Sequence, residues 1–190
     1  MRYVITGGCG FIGSHVVQLL KSKGKKVAII DKITNRDLID QKALLQNVQH
    51  FYMDISDPEL MEKALLPDDI VIHLAAQSHV DVSFKNPVQT TVSNVVGIHS
   101  LLAACVKRGV KKIVIMSTDE VYGSTEQIVD VNLLNPANPY SASKAAADML
   151  LLHTKQCTLR SPSQHSAQTT SPVLANLSTI SSHAFQFLDC

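Results

Sequence analysis

Ser117, Thr118, Asp119 and Glu120 stand directly behind the apolar run KKIVIM, residues 111–116. Carboxylates are costly to take out of water without a partner, so two acids and two hydroxyls ending a buried strand point to a site. Tyr140 and Lys144 lie four residues apart at the start of a helical stretch and therefore share a face. A phenol is a poor base at neutral pH. Bringing its pKa from about 10 to about 7 takes roughly 4 kcal/mol of phenolate stabilisation, and a neighbouring ammonium acts in that direction. A third cluster, TGGCGFIG at residues 6–13, holds Gly7, Gly10 and Gly13 in a G-x-x-G-x-x-G spacing, and Gly8 completes G-x-G-x-x-G. Such glycines turn sharply and let backbone amides approach a pyrophosphate; with Phe11 and Ile12 they open a helix whose N-terminus favours anions.

Asp31 follows Gly13 by 18 residues, at the end of the next apolar run. An acid there hydrogen-bonds an adenosine ribose and repels a 2′-phosphate, so NAD is expected rather than NADP, although the adjacent Lys32 has the opposite sign. Asp54, before Ile55, either lies against the adenine or caps the next helix.

These groups need a scaffold. The runs at residues 2–6, 26–31, 50–54, 69–76 and 111–118 are near-continuous in Val, Ile and Leu rather than alternating, as strands covered on both faces are. Between them lie helical patterns: FIGSHVVQLLKSKG with Gly24 as its stop, SDPELMEKALL with Asp57 as cap and Pro58 in the first turn, and residues 88–109 and 141–156. Alternating strands and helices predict an α/β fold, a Rossmann-like doubly wound parallel sheet that stops after its fifth strand and the following helix.

With 190 residues, 45% hydrophobic and 17% charged, the chain can bury one ordinary core. A net charge of +1 spread along it argues against nucleic acid and anionic membranes as partners. The four cysteines are far apart and fit neither a metal motif nor a disulfide framework, and neither an apolar leader nor a membrane-length run is present, so a cytoplasmic location is expected. No constellation of ligands suggests a metal. His15, His73 and His79 read as ordinary core or surface histidines.

Composition divides the chain into a dinucleotide-binding domain at 1–156 and a tail at 157–190. The tail holds seven Ser and four Thr, with Arg160 and Asp189 its only charged residues. It is expected to be irregular, although HAFQFL could add an edge strand.

Taken together, TGGCGFIGSH, Asp31, HLAAQSHVDVS, STDEVYG and NPYSASKAAAD resemble the extended short-chain dehydrogenase/reductase family, and within it the dTDP-glucose and UDP-glucose 4,6-dehydratases. The TDE triplet separates them from the epimerases that share the other motifs. The resemblance implies that Tyr140 takes the proton of the sugar 4-hydroxyl as hydride passes to NAD, with Thr118 hydrogen-bonding that oxygen. Lys144 lowers the tyrosine pKa and holds the nicotinamide ribose. Glu120 removes the C5 proton, and Asp119 protonates the departing 6-hydroxyl. Ala75, Ala76 and Gln77 match the family's cofactor contacts, and Asn94 is expected as a polar anchor near the site. The family also implies a nucleotide-sugar substrate and a homodimer through helices 88–109 and 141–156.

The likeness covers about residues 2–156, whereas members of the family continue with a sixth strand and a sugar-nucleotide domain. The tail is therefore expected to arise from a shifted reading frame, an alternative exon or a gene fragment. A non-catalytic NAD-binding remnant or interaction module, and an epimerase, stand as alternative readings.

Overall fold

The computed structural model describes residues 1–32, 44–123, 134–159 and 185–189. Each continuous apolar run forms a parallel strand: β1 Tyr3–Thr6, β2 Val27–Asp31, β3 Gln49–Tyr52, β4 Ile70–His73 and β5 Lys112–Met116. The sheet order is β3-β2-β1-β4-β5-β6, and the first five strands are parallel. Register sets Thr6 between Ile30 and His73, and His73 beside Ile115. The carboxyl ends of four strands thus reach one level, where ligands of open α/β sheets bind.

Two apolar layers account for the unbroken Val and Ile runs. On one face Ile5, Ile29 and Ile72 pack with Val17 and Leu20 of α1, Phe11–Ser22. On the other, Val4, Ile30, Val71 and Ile113 meet Met61 of α2, Pro58–Ala64, and Ile98, Leu101 and Cys105 of a later helix. Fully burying each such aliphatic side chain contributes about 1.5–3 kcal/mol.

Helix ends follow the expected signals. Gly24 and Gly109 take φ of +65° and stop their helices, and the Asp57 carboxylate accepts from the backbone of Glu59 and Leu60 ahead of Pro58. The short α3, Val80–Lys85, was not read from the sequence. The helix expected at 88–109 is α4 Pro87–Thr91, a π-helical turn at Val92–Val96, and α5 Gly97–Arg108, with helical dihedrals kept across both joins. The last helix, α6, runs Pro139–Leu159.

The expectation of an irregular tail is corrected at one place. Phe185–Asp189 forms β6, antiparallel to β5, with Lys112 opposite Asp189 and Met116 opposite Phe185. An edge strand such as β5 carries unpaired backbone groups, which the added strand takes up. Residues 160–184 lie outside the described residues.

Candidate active site

The amino-terminal part of the site is built from backbone. Gly7 leaves β1 with φ +69°, and a Cβ there would come within 2.7 Å of the Ala75 nitrogen. A Cβ on Gly13 would sit 2.0 Å from the Gly7 carbonyl oxygen, so only glycine lets the turn fold back onto the first turn of α1. Gly10 caps α1 without a side-chain acceptor, leaving the amides of the first turn, those of Phe11 and Ile12 included, for an anion. The Cys9 amide donates to Asp31 Oδ2 at 2.8 Å, which ties the turn to the end of β2. Burial, then the Asp31 charge, pushes the Cys9 thiol up to about 11, so it stays protonated.

Beyond Asp31, Lys32 Nζ donates to Asp54 Oδ2 at 2.8 Å, and the other oxygen of Asp54 accepts from the Ser56 amide and hydroxyl. Burial alone would raise the Asp54 pKa; the bonds from Lys32 and Ser56 outweigh it and hold the carboxyl below its usual range. Asp54 is thus a turn cap that also holds a cation.

These pieces surround a cavity of about 610 Å³, with Gly7, Gly10, Asp31, Lys32, Asp54, Ile55, Ala75, Ala76 and Gln77 on its wall. Phe11, Ile12, Gly13, Tyr140 and Lys144, also expected to meet a cofactor, are not wall residues. Asn86, Gln89, Thr90 and Ser93 are, and sequence reasoning missed them.

The second part is built from side chains. Thr118, two residues beyond β5, accepts from the Glu120 amide at 3.3 Å, capping a 3-10 turn at Asp119–Tyr122; its hydroxyl donates to Asp119 Oδ1. The Thr118 hydroxyl also favours the ionised form of the Tyr140 phenol. Glu120 Oε2 accepts from Asn138 Nδ2 at 2.9 Å, while Asn138 caps α6 through reciprocal bonds with Ser141. The Tyr140 amide donates to the buried Ser83 hydroxyl, and its carbonyl accepts from Ser143. Thr118, Asp119, Glu120 and Tyr140 are therefore brought together.

Lys144 corrects an expectation. Its Nζ donates to the Met116 carbonyl, and the phenol of Tyr140 is raised, not lowered: by burial first, then by Glu120, with Asp119 adding and the Thr118 bond opposing. Burial lowers Lys144 itself, against the pull of Asp148 one turn on. Asp148 is buried and accepts from the Ser117 hydroxyl; burial raises it, with Ser117 and Lys144 opposing.

Asn94 joins the two parts from the middle of the π turn. Its Oδ1 accepts from the Gln77 amide, and its Nδ2 donates to the Gln77 carbonyl and to Ser143, which in turn holds the Tyr140 carbonyl. Sequence reasoning missed Ser83, Asn138, Ser143 and Asp148. Only Asn138 carried a signal, an Asn before a Pro at a helix start. His73 is a core group as expected: Thr6 Oγ1 lies 2.7 Å from its Nδ1, and burial, then the Lys144 charge, takes it down to about 3.

A protein-family model described as GDP-mannose 4,6 dehydratase matches residues 4–159. The chain belongs to that family. It is 39% identical over 170 residues to dTDP-D-glucose 4,6-dehydratase of Dictyostelium discoideum, a match covering 79% of this chain and 39% of the relative. The chain thus spans well under half of that relative's length. Among solved structures, a Thermus thermophilus UDP-glucose 4-epimerase in complex with NAD is 34% identical with a TM-score of 0.71, covering 83% of this chain and 51% of that one. The NAD-dependent NDP-hexosamine 5,6-dehydratase TunA is 32% identical with a TM-score of 0.72, covering 85% and 50%. Among the described residues no His, Cys, Asp and Glu cluster could hold a metal ion, and no helix is long and apolar enough to cross a membrane.

Proposed function

We propose that this chain binds NAD in the cavity along the glycine turn and carries the reacting groups of a nucleotide-sugar 4,6-dehydratase acting on dTDP-glucose or UDP-glucose. The turn fits a dinucleotide, since the space a Cβ would fill at Gly7 and Gly13 is taken up by close backbone packing and the first-turn amides of α1 have no side-chain cap. The observation that carries the reading is the pair of carboxylates held beside the start of α6: Asp119 and Glu120 share the 3-10 turn behind β5, and Glu120 Oε2 accepts from Asn138 Nδ2, two residues before Tyr140. Dehydration needs that extra acid and base, whereas a change of configuration at one carbon does not.

Bound NAD supplies the hydride acceptor and a positive charge beside the phenol. Tyr140 takes the proton of the sugar 4-hydroxyl, and Thr118 hydrogen-bonds the same oxygen. Glu120, oriented by Asn138, removes the C5 proton, and Asp119 protonates the departing 6-hydroxyl. Lys144, whose ammonium donates to the Met116 carbonyl, turns from it to meet the nicotinamide ribose when NAD binds. Exposed Val88, Val96, Met149 and Leu152 on α4, the π turn and α6 are available to a second copy of the chain.

Incubating the chain with NAD and each sugar nucleotide, and following loss of water by mass spectrometry, tests the reading. Glu120→Gln is expected to slow water loss about 10²–10⁴-fold, the range of a general base, while NAD affinity holds. NAD binding with no water loss reduces the chain to a dinucleotide-binding module, and a C4-inverted sugar makes it an epimerase.

A further inference from the structure

Among the described residues, the adenosine end of the cavity carries three charged side chains, Asp31, Lys32 and Asp54. Lys32, next to the ribose-binding position, is the natural recipient of a 2′-phosphate, which would bring nearly two negative charges to this end. It is already engaged with Asp54 at 2.8 Å. Asp54 cannot readily follow Lys32 elsewhere, because its other oxygen is held by the Ser56 amide at 3.0 Å and hydroxyl at 2.9 Å. Asp31 is likewise held, by the Cys9 amide. The three side chains sum to one negative charge.

We infer that Asp54 is a specificity-determining residue: by holding Lys32 and adding a second fixed carboxylate, it makes the cavity refuse a 2′-phosphate and select NAD over NADP. This rests on the reading of the cavity as a dinucleotide site. Removing the Asp54 charge brings the local sum to zero and frees Lys32, and removing Asp31 as well makes it positive. Asparagine suits the test because its Oδ1 can still accept from Ser56.

Titration calorimetry of the full chain with NAD and NADP tests this by binding alone. The unaltered chain is expected to prefer NAD by at least about a hundredfold, and Asp54→Asn to narrow that preference about tenfold, mainly by gaining NADP affinity that weakens with salt. Asp54→Ser serves if circular dichroism shows the asparagine variant unfolded. Adding Lys32→Gln to either variant is expected to reverse the gain. An unchanged preference in the folded variant, or a gain that survives Lys32→Gln, overturns the inference while leaving the NAD reading intact. An unaltered chain that binds neither dinucleotide removes both.

Discussion

Along the glycine turn the surface offered to a ligand is backbone, whereas around Tyr140 it is side chain, and the two regions are held in place by different means. The turn is fixed by what cannot be added: at Gly7 and Gly13 a single Cβ collides with backbone. The cluster at the end of β5 is fixed by what must be present, because Ser83, Ser143, Asn138 and Asn94 each hydrogen-bond a group that positions it. A backbone-built surface therefore fails through steric excess, and a side-chain-built one through deletion.

Gly13→Ala breaks the first region most severely. A Cβ 2.0 Å from the Gly7 oxygen forces the backbone apart, so dinucleotide binding is expected to vanish in calorimetry, with a stability loss of about 3 kcal/mol by denaturant titration. Retained binding would show that the turn is not the anion site.

Asn94→Ala attacks the joint between the regions. It strands both backbone groups of Gln77 and one bond to Ser143, at an expected cost of about 2 kcal/mol. Both NAD affinity and water loss should weaken. An effect on only one of them would show that the regions are independent.

His73 gives a pH test. Its imidazole falls from the ordinary 6.5 to about 3 on folding, so between those values the unfolded chain binds the extra proton. Its contribution is complete above pH 6.5 and is lost as pH falls toward 3, with a slope of up to about 1.4 kcal/mol per pH unit. His73→Asn, whose amide can still meet Thr6, should flatten stability across that window relative to the unaltered chain; an unchanged slope would mean that His73 is not buried neutral.

The same contrast explains what could be read before folding. Gly7 and Gly13 announce themselves because steric need restricts those positions to one residue type, and the five parallel strands because burial on both faces demands unbroken Val and Ile. Asp31 was legible by its spacing. Ser83 and Ser143 were not, since a serine satisfying a distant backbone group looks like any helical serine. The π turn was hidden because apolar residues continue through 88–109 at an ordinary helical period. At β6 the segment HAFQFL was legible as an edge-strand candidate, but the Ser- and Thr-rich composition around it argued the other way. Lys144 stood on the expected face, yet which acceptor its ammonium met, Met116 or the phenol, depended on the strand end it packs against.

The central claim is that the cavity and the Tyr140 cluster form one site. A crystal structure of the chain with bound NAD tests it most directly. The account predicts the pyrophosphate at the Gly10–Gly13 amides, the adenosine ribose at Asp31, and the nicotinamide ring facing Tyr140 within reach of Thr118 and Glu120. A dinucleotide seated elsewhere, or a nicotinamide turned away from the phenol, would contradict it.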